Sequence, residues 1–461
     1  MEESTKEWIE GLRSRRAVVM GMARTGVAAS AALARRGARV VGTDLNEVPD
    51  LEGSLPSEIA FELGGHREET FRGCDLLIVS PGIPATNRFI GMALEGGAEV
   101  ISEIELAWRL CPAPLAAVTG TNGKTTTTAM IAGILEEAGF RAPLGGNIGN
   151  PLVETVEREG GEADFVVAEV SSFQLEWSPT LRPRAAVITN VTPDHLDRHP
   201  DLEEYAALKA RLLENQGPGD AKVLNADDPL TARRLAGGEQ AALAFSRAGA
   251  VGEAGAFAEG GEVFLMEAGV RRPVCAVSDL AVPGVHNLEN FLAACAAAGF
   301  LGAPPEAMAR LARSFRGLAH RMEPIAEIGG VRWVNDSKGT NVGATAMSLR
   351  SVEGGVLLIA GGTDKGSDLA PLEGPVRERV RRMVLIGEAA GRFARFFEGM
   401  APIDRVGGLE EAVALCAREA RPGETVLLSP ACSSFDQFRD YADRGEAFRR
   451  AVQALAKEEG A

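Results

Sequence analysis

The sequence predicts an α/β fold in three domains built on mainly parallel sheets. Two observations carry this. Short apolar runs recur along the chain, each followed by a turn and then a helical pattern. The chain has 461 residues, which at about 150 per domain suggests three units. Strands that are apolar on both faces belong in parallel sheets covered by helices, and such sheets bind ligands beyond the carboxyl ends of their strands. The residues just after each strand are therefore the ones to inspect for chemistry.

The first domain is expected over 1–102. A strand over 17–20 meets Gly21-Met22-Ala23-Arg24-Thr25-Gly26 and a helix over 27–36. Gly37 ends that helix, the next strand runs over 38–41, and a third over 76–79 is broken by Ser80-Pro81-Gly82. Gly21-x-Ala23-x-x-Gly26 is a damaged G-x-G-x-x-G, with Asp44 at the end of the following strand. Alone it suggests a Rossmann-like dinucleotide fold, or a glycine turn that merely joins strand to helix.

The second domain is expected over 103–317, with strands at 115–118, 165–168, 185–188 and 223–224. Short glycine-rich strands over 249–281 suggest a small antiparallel sheet, and a helix over 288–300 closes the unit. After its first strand comes Thr119-Gly120-Thr121-Asn122-Gly123-Lys124-Thr125-Thr126. Glycines let backbone N–H groups turn inward around an anion, and the following helix adds its positive dipole end. Lys124 is placed to meet β- and γ-phosphates and the Thr125 hydroxyl to meet Mg²⁺. Val118 stands where the first glycine of G-x-x-x-x-G-K-[ST] falls, so this is a shorter variant of the loop in a central P-loop ATPase domain.

Mg²⁺ requires oxygen ligands. Glu169 ends an apolar strand, where a carboxylate is costly unless it is paired or metal-bound. His195, in Thr192-Pro193-Asp194-His195-Leu196-Asp197, is a second post-strand candidate or, alternatively, a cap neighbour or core histidine. The segment 201–215 reads as a helix with Leu202, Tyr205, Ala206, Leu212 and Leu213 on one stripe, and Lys209 lies in that stripe. Either its stem snorkels to solvent, or burial leaves a neutral amine able to take up CO₂ as a carbamate, an anionic metal ligand.

The third domain, 318–461, carries strands at 356–360, 383–386 and 426–428 and is expected to be Rossmann-like. Composition excludes several classes. The chain is 45% hydrophobic and 24% charged, with a formal net charge of -16, which argues against a general nucleic-acid or anionic-lipid binder. There is no apolar run of about 18 residues and no basic, apolar leader at the start, so a cytoplasmic protein with no membrane partner is expected. The six cysteines form no C-x-x-C pair, so reduced, buried thiols are expected rather than zinc or disulfides.

Taken together, these segments resemble the Mur ligases, ATP-dependent amino-acid-adding enzymes of peptidoglycan precursor synthesis. The likeness is carried by the 119–126 loop, Gly146-Asn147-Ile148-Gly149, Glu169-Val170-Ser171-Ser172, Thr192 to Asp197 with Lys209, His286-Asn287 and His320-Arg321. Four more segments narrow it to the members that add D-glutamate. They are Gly317-Leu318-Ala319-His320-Arg321-Met322-Glu323, Val334-Asn335-Asp336-Ser337-Lys338-Gly339-Thr340-Asn341, Gly361-Gly362-Thr363-Asp364-Lys365 and Ser429-Pro430-Ala431-Cys432-Ser433-Ser434-Phe435-Asp436-Gln437-Phe438. Tyr441 stands where the family carries Phe, and Gly339 where it usually carries Ala.

The resemblance implies an amide ligase that adds D-glutamate to UDP-N-acetylmuramoyl-L-alanine through an acyl phosphate, using ATP and two Mg²⁺ ions, as a monomer with small-molecule partners only. It implies that Gly120, Thr121, Asn122, Gly123, Lys124, Thr125, Thr126, Asn287, Asn290, Arg321 and Asp336 bind ATP. Thr125, Glu169, His195 and a carbamylated Lys209 would hold the metal, with Lys338 beside the carbamate. Ala23, Arg24, Thr25, Gly26, Asp44, Ser80, Pro81, Gly82 and Asn147 would grip the UDP substrate, and His320, Thr340, Lys365, Ser434 and Tyr441 the D-glutamate. Lys124, Lys209, His195, Glu169, Lys338 and Arg321 would be the catalytic set. Two rivals are a folylpolyglutamate-type ligase, disfavoured by 429–438, and a regulatory P-loop nucleotide binder.

Overall fold

The computed structural model describes residues 3–47, 55–194, 201–364 and 366–459. The chain forms two compact units, Met1–Phe315 and Arg316–Ala461. No described helix is long and apolar enough to cross a membrane.

The first unit holds two sheets. One is fully parallel, in the order Ala60–Glu62, Arg39–Thr43, Arg16–Met20, Leu76–Val79, Glu99–Ser102. Strand order reverses between Arg16–Met20 and Leu76–Val79, and that is where a crevice opens in such a sheet. Gly21 (φ +94°) leaves the first of these strands so close to Ser80 that a Cβ would lie 2.7 Å from the Ser80 hydroxyl. Gly26, in the first turn of helix Arg24–Arg35, approaches the Gly21 carbonyl so closely that a Cβ would sit 1.9 Å from it. The damaged glycine pattern therefore keeps the two glycines that backbone packing demands.

The second sheet has nine strands, in the order Val270–Ala276, Glu262–Glu267, Gly255–Glu259, Ala241–Ser246, Ala221–Asn225, Ala185–Ile188, Leu115–Thr119, Val166–Glu169, Leu144–Gly146. The strands expected over 249–281 are antiparallel to one another, but they do not form a sheet of their own. Gly255–Glu259 pairs in parallel with Ala241–Ser246 and so extends the central sheet. Gly255 makes this possible: at φ +137° its backbone lies against Ala244, where a Cβ would be 1.8 Å from the carbonyl oxygen. The outermost strand exposes Val270, Arg271, Arg272 and Pro273. Helices Lys124–Glu137, Val285–Phe300 and Pro305–Ser314 cover one face of this sheet with an alanine-rich core.

The other face shares a core with the first sheet, in which Ile101, Ile104, Leu106, Leu115, Leu152 and Ala168 pack together. At the crossing between the sheets, Ser102 caps helix Glu103–Leu110, accepting from the Glu105 N–H at 3.1 Å, and its hydroxyl meets that of Ser178 at 2.8 Å. This apolar continuity explains why two sheets form one compact unit.

The second unit has a six-stranded sheet in the order Glu323–Ile328, Val331–Asn335, Thr425–Leu428, Val356–Gly361, Val380–Ile386, Ile403–Arg405. It is parallel except for its first hairpin, and cores lie on both faces. All six cysteines are buried, and none forms a disulfide among the described residues.

Candidate active site

The strand Leu115–Thr119 runs straight into the glycine loop, and helix Lys124–Glu137 starts at Lys124. Gly123, its N-cap, has φ +83°, and a Cβ there would be 2.1 Å from Asn290 Oδ1. Gly120 has φ +145°, and a Cβ would be 1.9 Å from Thr189 Oγ1. Both glycines are thus fixed by conformation and by crowding from behind. The Lys124 ammonium folds back over the loop, donating to the carbonyls of Gly120 (2.9 Å) and Thr121 (2.8 Å).

Residues that sequence reasoning missed brace this loop. Thr189, just after Ala185–Ile188, donates to the Asn122 carbonyl at 2.6 Å. Asn190 accepts from the Asn122 N–H at 2.9 Å and donates to its carbonyl at 3.1 Å. Asp228 accepts from the Val191 N–H at 2.7 Å. Of the residues that the resemblance did single out, Asn290 and Asn287, buried in the first turns of Val285–Phe300, stand behind Gly123 and on the Pro283 carbonyl respectively. Thr127 donates to Asn290 Oδ1 at 3.3 Å. Thr125 and Thr126 are buried in the first helical turn.

Glu169 is buried at the end of Val166–Glu169, in register with Val118 on the loop-bearing strand. Asn147 orients it, donating from Nδ2 to Glu169 Oε1 at 2.7 Å and from its backbone N–H to the Glu169 carbonyl at 2.9 Å. Lys209 lies on helix Leu202–Ala210, which is followed by a 3₁₀ turn, Arg211–Leu213, rather than running to 215. Its side chain does not snorkel. The residue is only 1% exposed, its Nζ donates to the Gly120 carbonyl at 2.8 Å and stands 4.2 Å from the Tyr205 ring centre. Burial, and then the nearby Lys124 charge, push its pKa well below the ordinary lysine value, with Asp194 opposing. Tyr205 bonds to the Thr121 and Ser172 side chains, and burial raises its phenol. His195 lies outside the described residues.

Around the first-sheet crevice, the Met22 N–H donates to Asp44 Oδ2 at 2.7 Å and the Ser80 hydroxyl to the Gly21 carbonyl at 3.1 Å. Arg24 reaches Asn150 Oδ1 at 3.0 Å. Ala23 caps the helix that carries Arg24, Thr25 and Gly26, and Ser80, Pro81 and Gly82 follow Leu76–Val79.

In the second unit the expected residues gather at the carboxyl ends of the strands. His320 has φ +62°. Its Nδ1 faces the Asn335 amide at 3.0 Å, and burial lowers its pKa. Gly445 on the facing helix leaves room for this ring, because a Cβ there would be 2.2 Å from Nδ1. Asp336 is buried, accepting from Ser348 and Ser429 hydroxyls at 2.7 Å each and from the Met322 N–H at 3.3 Å; burial raises its pKa while Arg321 nearby opposes. The Lys338 ammonium stands 5.2 Å from the Tyr441 ring, and the Thr340 N–H donates to the Lys338 carbonyl at 2.8 Å. Ser434 is buried at the turn that leads to Phe438. Arg444, also missed from sequence, joins two of these loops, donating to Ser337 Oγ (3.0 Å) and to the carbonyls of Ser337 (2.9 Å), Ser433 and Cys432 (3.2 Å each). Lys365 lies outside the described residues.

These groups suit a nucleotide and a hard cation. Gly120 and Gly123 make a cradle that side chains would fill, and a helix N-terminus faces it. The Glu169 carboxylate and Thr125 hydroxyl are oxygen donors of the kind Mg²⁺ takes. Lys209 fits a cation site only once its ammonium charge is removed.

The glycine loop at a parallel-strand exit, with an acid and a buried lysine beside it, defines a P-loop nucleotide-binding chain. By sequence and fold the chain belongs to the Mur ligase family. The Mur ligase MurD-like N-terminal domain matches residues 15–102, the Mur ligase middle domain 118–298, and the Mur ligase glutamate ligase domain 320–432. A UDP-N-acetylmuramoylalanine--D-glutamate ligase of Pelotomaculum thermopropionicum is 45% identical over 449 residues, covering 96% of this chain and 98% of the relative. Another of that name, from Geobacter metallireducens, is 46% identical over 445 residues, 95% and 97% of the two chains. Among solved structures, the UDP-N-acetylmuramate-alanine ligase of Thermotoga maritima aligns with TM-score 0.60 at 20% identity over 96% of this chain and all of that one. A pseudomurein peptide ligase type C of Methanothermus fervidus aligns with TM-score 0.59 at 18% identity over the same shares.

Proposed function

We propose that this chain is the ATP-dependent ligase that joins D-glutamate to UDP-N-acetylmuramoyl-L-alanine in peptidoglycan precursor synthesis. The observation that carries the reading is the braced 119–126 loop with Glu169 and Lys209 beside it, in a chain similar over nearly its full length to relatives bearing that activity's name. In this reading 1–102 binds the UDP substrate, 103–317 binds ATP and 318–461 binds the amino acid. The protein works as a cytoplasmic monomer on small molecules.

A carboxylate is a poor electrophile, so the alanyl carboxylate takes the γ-phosphoryl group of ATP and becomes an acyl phosphate. The D-glutamate amine attacks that carbonyl, and phosphate leaves from the tetrahedral intermediate. Phosphoryl transfer is chiefly positioning and charge neutralisation. Lys124 gives up the loop carbonyls to meet the phosphates, backed by N–H groups of 120–126, with Asn287 and Asn290 behind the loop at the adenine. Arg321 and Asp336 complete the ATP-binding set that the family resemblance assigns. Thr125, Glu169, His195 and a carbamylated Lys209 would hold Mg²⁺, which would supply charge neutralisation when bound; two ions are expected.

Lys209 serves there as a carbamate. The neutral amine's lone pair attacks CO₂, and one proton leaves to water. Ala23, Arg24, Thr25, Gly26, Asp44, Ser80, Pro81, Gly82 and Asn147 hold the UDP substrate. His320, Thr340, Lys365, Ser434 and Tyr441 frame the D-glutamate.

A phosphate-release assay with ATP, UDP-N-acetylmuramoyl-L-alanine and a panel of amino acids tests this. Release only with D-glutamate is expected. Release with ATP alone would point instead to a regulatory nucleotide binder.

A further inference from the structure

Glu103 is the residue that follows strand Glu99–Ser102 and opens helix Glu103–Leu110. It is 1% exposed. Its Oε1 accepts from the Val153 N–H at 2.6 Å, and the carboxylate also accepts from the Leu152 backbone. It thereby caps the first turn of helix Leu152–Glu159, accepting from backbone N–H groups that have no partner within the helix. Among the described residues its Oε2 has no hydrogen-bond partner. A buried carboxylate with half its acceptor capacity unused is a poor choice for packing alone.

The helix it caps is the end-stop of the 146–151 loop, and that loop is stretched between two functional regions. At one end Asn147 holds Glu169 by side chain and backbone. At the other, Asn150 accepts from Arg24 beside the glycine turn of the first sheet. The Gly146 N–H donates to the Asn150 carbonyl at 2.9 Å, which closes the loop on itself. It has little slack: Gly146 has φ +104°, and a Cβ would lie 2.4 Å from the Glu169 carbonyl. Further along, Glu157 pairs with Arg35 and Arg36, which tie the helix to the first sheet's own helix.

We infer that Glu103 is a positioning residue of the ligation site. Through the first turn of Leu152–Glu159 it sets the 146–151 loop, and so holds Asn147 on Glu169 and Asn150 on Arg24 together. The inference rests on the ligase reading. It predicts which kinetic constants respond to Glu103: those for Mg²⁺ and for the UDP substrate, whose residues the loop touches. The constant for D-glutamate, whose candidate residues lie in the other unit, stays put.

The test uses the full-length chain. In Glu103→Leu, which keeps apolar packing, and in Glu103→Ala, the apparent Mg²⁺ affinity and the KM for UDP-N-acetylmuramoyl-L-alanine worsen about 10- to 100-fold, with the KM for D-glutamate unchanged. Glu103→Gln retains one acceptor for Val153 and restores most of both constants. A purely structural role would instead lower the fraction of active protein and leave every KM alone. Folded Glu103→Leu with wild-type Mg²⁺ and UDP-substrate constants overturns the inference, as does Glu103→Gln as impaired as Glu103→Leu. If the wild-type chain releases no phosphate with D-glutamate, it is the ligase reading that fails, before any variant is made.

Discussion

Lys209 and Lys124 donate to the same oxygen, the carbonyl of Gly120, at 2.8 and 2.9 Å. Two ammonium groups on one acceptor repel each other, and burial already disfavours the charge on Lys209. The strand exit is therefore held by one lysine that suits phosphate and another poised to lose its proton.

The first prediction concerns that second lysine. Lys209→Ala loses about a hundredfold or more in phosphate release, and acetate partly restores it by standing in for the carbamate. Near-wild-type turnover would end the carbamate proposal.

The depressed pKa also sets the sign of two pH effects. The amine is neutral above its lowered pKa, so carbon-13 bicarbonate labelling of Lys209, read by NMR, rises with pH and is lost on acidification. A base with a depressed pKa destabilises the fold increasingly as pH falls from its ordinary value of 10.5 toward the lowered one. Lys209→Met, which removes the buried amine, accordingly has a higher Tm than the unmodified wild type at neutral pH.

Gly123 makes a sharp conformational test. Gly123→Ala meets both φ +83° and the Asn290 oxygen, and the left-handed backbone alone costs about 1–2 kcal/mol. ATP affinity, measured by calorimetry, falls by about tenfold or more. The double variant with Asn290→Ala relieves the contact but not the backbone, so it does not return to wild type.

Much of this was legible in the sequence, and the limits are instructive. Apolar runs located the strands that flank Gly21, Gly120 and Glu169, because a strand buried on both faces has no polar positions to confuse the pattern. Lys209 stood out because a charge interrupted an apolar stripe. Thr189, Asn190 and Arg444 did not stand out. Thr189 and Asn190 bond to Asn122, and Arg444 joins Ser337 to the 432–433 turn, so the partner that matters lies roughly 70 to 110 residues away in each case, and nothing local marks a hydroxyl, an amide or a guanidinium for so distant a carbonyl. The 249–281 strands were visible as strands, but joining them to the central sheet depended on the close approach of Gly255 to Ala244, a tertiary fact. The shared core beneath the first two sheets was likewise hidden, since apolar residues do not announce which sheet they face.

Asp44 supplies a prediction for the other end of the substrate. Its carboxylate holds the Met22 N–H at 2.7 Å, and so the glycine turn itself. Hydrogen bonds to charged groups contribute about 1.5–3 kcal/mol. Asp44→Ala raises the KM for the UDP substrate about 10- to 100-fold and leaves that for ATP in place. An equal rise in both would mean that the first sheet had simply come apart.

Glu103 gives a stability prediction separate from its kinetics. Burial pushes its carboxyl up to about 7 from an ordinary 4.5. An acid with a raised pKa favours the fold below its unfolded value, and that contribution is lost as pH rises through the folded one. Glu103→Gln therefore gains on wild type between pH 5 and pH 8, by about 3 kcal/mol at the alkaline end. Urea midpoints at the two pH values measure it, and a difference independent of pH would contradict the assignment.

The outermost strand of the nine-stranded sheet, Val270–Ala276, has a further consequence. An open edge offers a pairing template to any neighbour. Here that rim is furnished with Arg271 and Arg272, ion-paired to Glu259 at 2.6 Å and Glu267 at 2.9 Å, whose charged pairs an incoming strand would have to strip of water, and with Pro273, which has no N–H to offer. Chains crowded together are thereby discouraged from zipping strand to strand, and the widest sheet in the molecule resists growing into a fibre.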